Sequence, residues 1–184
     1  MERLASRVFQ DGRHAFFVDC GLSYQGEPIR AVGNLHHLEG KEVVALADGN
    51  VVRGLIVSDG EVKLPRMASI VHVGLPYLSE IESLPLSFGA QTTGGAAPGR
   101  PKQITGVTMK VQETRGLWAG SDADHLDEYK QRSMEGWGEP VRLTTGVISH
   151  RIRGSWRPES TVLIQQRDPL PMTILTLTPE TIIP

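Results

Sequence analysis

Two Asp-Gly pairs, Asp48-Gly49 and Asp59-Gly60, stand eleven residues apart among short runs of Val, Ile, Leu and Ala. Aspartate and glycine reach positive φ at low cost, and two such residues in succession make a tight reversal that suits the twist of flanking strands. This spacing is the rhythm of short antiparallel strands and leaves no room for a helix. From His36 to Tyr77 the chain therefore reads as a small β-meander or barrel. Its strands are expected near Glu42–Ala47, Val51–Val57, Glu61–Leu64 and Ile70–Val73. Gly54 interrupts the second run and predicts a bulge or a close backbone contact. Pro65 brings no N–H to a ladder and is expected to end the third strand.

The rest of the chain has the same character. In residues 1–35, Ala15–Cys20 reads as a buried strand and Tyr24–Pro28 as a turn. Residues 78–103 read as a linker. It holds Leu84-Pro85-Leu86, extended by the restriction on residues before proline, and the small-residue stretch Gly89–Lys102, expected to be a mobile loop. Beyond it Val107, Met109 and Val111 alternate with Thr108, Lys110 and Gln112, one face apolar and one polar. Val141, Leu143, Thr145 and Val147 suggest a second alternating strand. Val162–Gln166 and Met172–Leu177 suggest the last two, with a Thr-rich end that suits a surface. Asp122–Met134 is the one helix-capable segment, with Ser121 or Asp122 as cap and Lys130 and Arg132 late, though it fits an ordered loop equally. The expected fold is mainly β, with one short helix at most. It has a small module at 36–77 and a β-sandwich-like module at 104–184, completed by strands from 1–35.

Composition narrows the function classes. A domain of this length hides roughly 70% of its unfolded surface, so a real core is within reach. A net charge of −2 creates no broad basic field for nucleic acid. Cys20 is the only cysteine, which excludes an internal disulfide; it reads as a small buried apolar residue. There is no run of about 18 apolar residues to span a membrane. The N-terminal MERLASRVFQDGRHAFF lacks the apolar segment of a signal peptide, so synthesis in a cytoplasm without general secretory export is expected.

No catalytic, cofactor-binding or metal-binding residue is assigned. His36-His37 invites a metal reading, but adjacent strand residues face opposite sides and no third ligand has suitable spacing. Asp122, Asp124, Asp127 and Glu128, with His125 among them, are oxygen-rich but lack the glycine and terminal bidentate Glu of an EF-hand. Ser23 lies in G-x-S-x-x-G, one residue longer than a nucleophile elbow. Gly94, Gly95, Gly99, Arg100 and Lys102 do not form a phosphate loop. Trp118, Trp137 and Trp156 read as core or interface anchors before ligand stackers.

Several stretches, taken in order, resemble a known family. They are HHLEGKEVVALADGNVV, VHVGLPY, SLPL, GRPKQITGVTMKVQETRGLWAG, DADHLDEYKQRS, GEPVRLTTGVISHRIRGSW and RDPLPMTILTLTPE, preceded by AFFVDCGLSYQG. Their number and order, from Ala15 to Pro179, resemble the C-terminal part of bacteriophage tail structural proteins, the short-tailed phage nozzle (tail tubular protein B) type. Each motif alone is weak. Members of that family are longer, with further β domains before this region, and Ala97–Lys102 only approximates their AQGRR-K stretch. The resemblance implies a non-catalytic virion protein made in the host cytoplasm. Copies of it, six by resemblance, would form a ring with neighbouring tail or adaptor proteins around the channel through which DNA leaves. It brings no catalytic residues and no cofactors. The alternative expectation is a tail-tip module that binds a host-surface glycan or protein.

Overall fold

The computed structural model describes residues 8–9, 11–86, 101–131, 139–140 and 142–183. Among them it is mainly β, with three antiparallel sheets and, as helix, only a 3-10 turn at His36–Leu38. The chain divides into two compact units.

The first unit comprises Met1–Leu78, Gln131–Leu143 and Arg167–Pro171. Its sheet holds β1 (Asp19–Val32), β2 (Glu42–Ala47), β3 (Asn50–Ile56) and β4 (Val62–Leu75), in the order β1-β4-β2-β3. Both Asp-Gly reversals form as expected. Asp48 and Gly49 have φ of 46° and 80° between the paired Ala47 and Asn50, a two-residue turn with both centres left-handed. Asp59 and Gly60 repeat it at 56° and 70° between Ser58 and Glu61. The Gly54 bulge is also present. From Leu55 to Val52 β3 advances three residues while β2 advances two, from Val43 to Ala45, and Gly54 has φ 69°. One face of the sheet closes a core containing Leu35, Leu38, Val43, Ala45, Val71 and Val73. The other face is covered as well, since Val44, Leu46 and Ile70 are buried.

Three expectations for this unit need correction. Residues 1–35 do not complete the C-terminal module: β1 pairs along β4, and the first unit instead takes in two segments from the C-terminal half. The physical reason is the free side of β4, whose Val71 and Val73 stand opposite Tyr24 and Leu22. Tyr24–Pro28 is not a turn but a bulged part of β1. From Gln25 to Ile29 β1 advances four residues while β4 advances two, and the Tyr24 hydroxyl donates to the Glu27 carbonyl at 2.8 Å. Pro65 does not end a strand. Between Ala68 and Lys63 β4 advances five residues against two on β1, and Pro65 sits in that excess, where the ladder requires no N–H.

The second unit comprises Ser79–Lys130, Thr144–Gln166 and Met172–Pro184. One sheet runs β5 (Ser79–Glu82), β10 (Leu163–Gln166), β7 (Leu117–Gly120) and β8 (Leu126–Glu128) in that order. The other runs β11 (Ile174–Ile182), β6 (Gln103–Thr114) and β9 (Thr144–Arg151). Their shared core includes Val107, Met109, Val111, Leu117, Ile148 and Ile164, so this unit is the expected sandwich. The alternation read in β6 is correct.

That read in β9 has the opposite phase. Ile148 is buried opposite Met109, whereas Val147 is 69% exposed. The inward position opposite Val111 is Gly146, which has no side chain and so conceals the phase. Val141 and residues 89–100 of the expected loop 89–102 lie outside the described residues. The expected linker at 78–103 already contains β5, and Lys102, the last residue of the expected loop, is buried and bridged to Arg157. Asp122–Met134 does not begin as a helix; its residues 132–134 lie outside the described part. Asp122 instead caps a reversal by accepting the Asp124 N–H at 3.2 Å, and Leu126–Glu128 pairs with β7. A Cβ on Gly120 would lie 1.9 Å from the His125 carbonyl oxygen, so this hairpin requires glycine there.

Gly49→Val tests the first turn. At φ 80° a β-branched residue is strained, and a Cβ there would lie 2.3 Å from the Pro140 side chain. The expected loss is about 2 kcal/mol or more in urea denaturation. An unchanged midpoint would contradict this account of the turn.

Candidate functional site

The two histidines meet different neighbours. The His36 ring lies where a Cβ on Gly60 would meet it at 2.2 Å, and His37 Nε2 lies 2.9 Å from the Cys20 carbonyl oxygen. No group of three His, Cys, Asp or Glu among the described residues could hold a metal ion. Cys20 is half-buried against the first core at φ 48°, less enclosed than expected.

The acidic loop is organised around Asp122. Its carboxylate takes the His125 Nδ1 at 2.5 Å and the Arg157 guanidinium at 3.0 Å. The His125 hydrogen bond, ahead of the charges of His125 and Arg157, holds the Asp122 carboxyl below the usual carboxylate range. Asp127 stands 3.7 Å from Arg153, and Asp124 and Glu128 are exposed. The cluster therefore closes a hairpin and ties it to Arg157.

Lys102 is part of a buried clasp. Its Nζ donates to the Pro158 carbonyl at 2.9 Å, and the Ser160 hydroxyl donates to the Lys102 carbonyl at 3.0 Å. Trp118 is half-buried on β7, Trp156 is 47% exposed, and Trp137 lies outside the described residues.

The most unusual polar centre was not singled out in the sequence. His72 is only 5% exposed on β4, opposite Ser23 on β1. Its Nδ1 lies 2.7 Å from the exposed Ser23 hydroxyl, and its Nε2 is buried without a hydrogen-bond partner. Phe16 stacks on the ring at 3.8 Å between centroids, and His14 meets it edge-on at 6.0 Å. Burial, aided by the His14 charge and opposed by the Arg13 backbone, pushes the His72 pKa down to about 4. The imidazole is therefore neutral at pH 7. A nucleophilic serine needs a base that is itself oriented and donors for the developing oxyanion. The Ser23–His72 pair fastens β1 to β4 beneath Phe16. The available signal was a histidine inside the apolar run Ile70–Val73. On the second unit His150 is similar: half-buried, with an unpartnered Nε2, a Tyr129 ring edge at 5.9 Å, and a pKa lowered by burial.

A groove of about 350 Å³ opens beside the β4 bulge, lined by Asp48, Asn50, Leu64, Pro65, Arg66 and Met67. Its size is at the small end for ligand pockets. The Asp48 carboxylate in it is engaged by the Ser69 and Ile70 N–H groups, the latter at 2.9 Å.

No protein-family model matches this chain, and no curated protein matches it in sequence.

His72 makes a pH prediction. Between its ordinary value of 6.5 and about 4, the unfolded chain binds a proton that the folded imidazole refuses. Stability is expected to fall as pH drops through that window, by a total on the order of 3 kcal/mol. Urea unfolding at pH 7 and pH 5 should show about 2 kcal/mol of this loss, and His72→Gln should flatten the profile. Equal slopes for the two proteins would contradict the assignment.

Proposed function

We propose that this chain is a non-catalytic structural component of a phage or prophage tail, of the nozzle type, helping to form or close the DNA-exit channel. The observation that carries this reading is the ordered series of motifs from Ala15 to Pro179. The mainly β architecture supports it. So does the use of the polar groups, since Asp48, His72, Lys102 and Asp122 all serve as internal fasteners. Large apolar side chains on strands or strand ends stand in solvent, among them Ile56, Met67, Leu78, Ile81 and Leu175. Such side chains suit a subunit whose surface is finished by its neighbours. A net charge of −2 suits a conduit, because a strongly basic wall would hold passing DNA by its phosphates.

The second reading, a tail-tip module that binds a host-surface glycan or protein, draws on the exposed indole of Trp156. It calls for quenching of tryptophan emission by host polysaccharide, and Trp156→Ala should abolish that quenching.

Immunogold labelling of particles from the encoding phage or prophage tests the first reading. Label is expected at the tail. Particles that infect normally and carry no copy of this chain would sink the proposal. Changing Asp122, Asp124 and His125 together to Ala should leave infectivity within about two-fold in properly assembled virions, because their contacts close a surface hairpin. A large loss of infectivity with assembly intact would instead favour chemistry at that loop.

A further inference from the structure

The three-stranded sheet of the second unit has β11 and β9 at its two edges, with β6 between them. Both pair antiparallel with β6, so they run in the same direction. In three of its rows the β6 register places chemically matched residues at the two ends, while the Val107 row ends in Pro179 and His150 and the Lys110 row in Thr176 and Val147. Opposite Gly106 stand Glu180 on β11 and Arg151 on β9. Opposite Thr108 stand Thr178 and Ser149, and opposite Met109 stand Leu177 and Ile148. These three rows end in acid and base, hydroxyl and hydroxyl, aliphatic and aliphatic.

Guards against pairing are common on the other edges, with bulges and Pro28 on β1, the Gly54 bulge on β3 and short acidic strands at β5 and β8; β11 has Pro179 and register shifts at Ile174/Thr176 and Glu180/Thr181, which leaves Thr176–Glu180 as its regular stretch. Between Gly146 and Arg151, β9 has no bulge and no proline. Arg151 is exposed and forms no ion pair among the described residues. Glu180 is exposed and accepts the Thr108 hydroxyl at 3.0 Å, which leaves its carboxylate further acceptor capacity.

We propose that β9 of one copy receives β11 of a second copy in the same direction, continuing the three-stranded sheet from subunit to subunit. In unshifted register Arg151 meets Glu180 of the next copy, Ser149 meets Thr178, and Ile148 meets Leu177. Pro179 has no N–H, so the join can lack a main-chain bond there and the side-chain rows set its register. A join between two different edges is head-to-tail, and it closes into a ring or continues as a filament. This rests on the structural reading above and names the surface that would make the ring.

Sedimentation of the full chain over a range of concentrations tests the join. Arg151→Glu and Glu180→Arg should each raise the concentration of half-assembly about five-fold. An equimolar mixture of these two variants should assemble like the wild type, because each then meets the opposite charge on its neighbour. A β9-to-β9 dimer would not be rescued in this way, and that result would overturn the proposal.

A covalent test is independent of affinity. In a Cys20→Ala background, Ser149→Cys and Thr178→Cys lie two strand spacings apart within one chain, roughly 9.5 Å, beyond disulfide reach. Oxidation should therefore yield a ladder of linked multimers from the double variant and, at most, linked dimers from either single variant. A chain that stays monomeric and forms no ladder overturns the join. So does assembly that ignores both charge changes, although the tail reading would survive that second result if virions carry the label.

Discussion

The carboxylate of Asp48 is the point on which the first unit's register depends. Its backbone takes the left-handed conformation that turns β2 into β3, while its side chain accepts N–H groups of Ser69 and Ile70 on β4. The Asp48 N–H also donates to the Ile70 carbonyl at 2.8 Å. One residue therefore closes a hairpin and attaches it to the next strand. The second turn uses a partner for the same purpose, since the Glu39 carboxylate receives the N–H groups of Asp59 and Gly60 at 2.9 and 2.8 Å. A charged acceptor on backbone donors makes a stronger bond than a neutral one, so these turns are pinned as well as shaped.

Local backbone chemistry was legible in the sequence, and pairing was not. The two Asp-Gly turns, the Gly54 bulge and the β6 alternation each depend on residues close in the chain. Tyr24–Pro28 and Pro65 carry the same glycine and proline signals that mark turns, yet they form bulges because a long partner strand lies alongside. That choice is made by β1 and β4, whose paired residues lie from 30 (Val32 and Val62) to 56 (Asp19 and Leu75) positions apart. Gly146 concealed the phase of β9 for a related reason: the inward site is recognisable only once Val111 is known to stand opposite. The site chemistry divides in the same way. Adjacent histidines and clustered acids are visible in a sequence, but the meeting of Ser23, His72 and Phe16 depends on tertiary pairing.

Polar groups in both units act as positional devices within apolar surroundings. Lys102 and Ser160 clasp a carbonyl and a strand end, and Gln166 donates to the Arg115 carbonyl from a fully buried strand. Such bonds add little net stability but penalise every arrangement that leaves them unmade. Their effect is to select one packing over its near neighbours.

The membership of residues 131–143 and 167–171 in the first unit has a consequence for biosynthesis. Translation delivers the strands of that unit long before the segments that complete it. At roughly 5–20 residues per second, the ribosome needs about 5–20 s to travel from residue 78 to residue 171. During that interval β1 to β4 can pair, but Asp168 has not been made to meet Arg53, nor Pro169 to accept the Phe17 N–H. The nascent chain must therefore keep an incomplete sheet soluble while residues 79–171 are made.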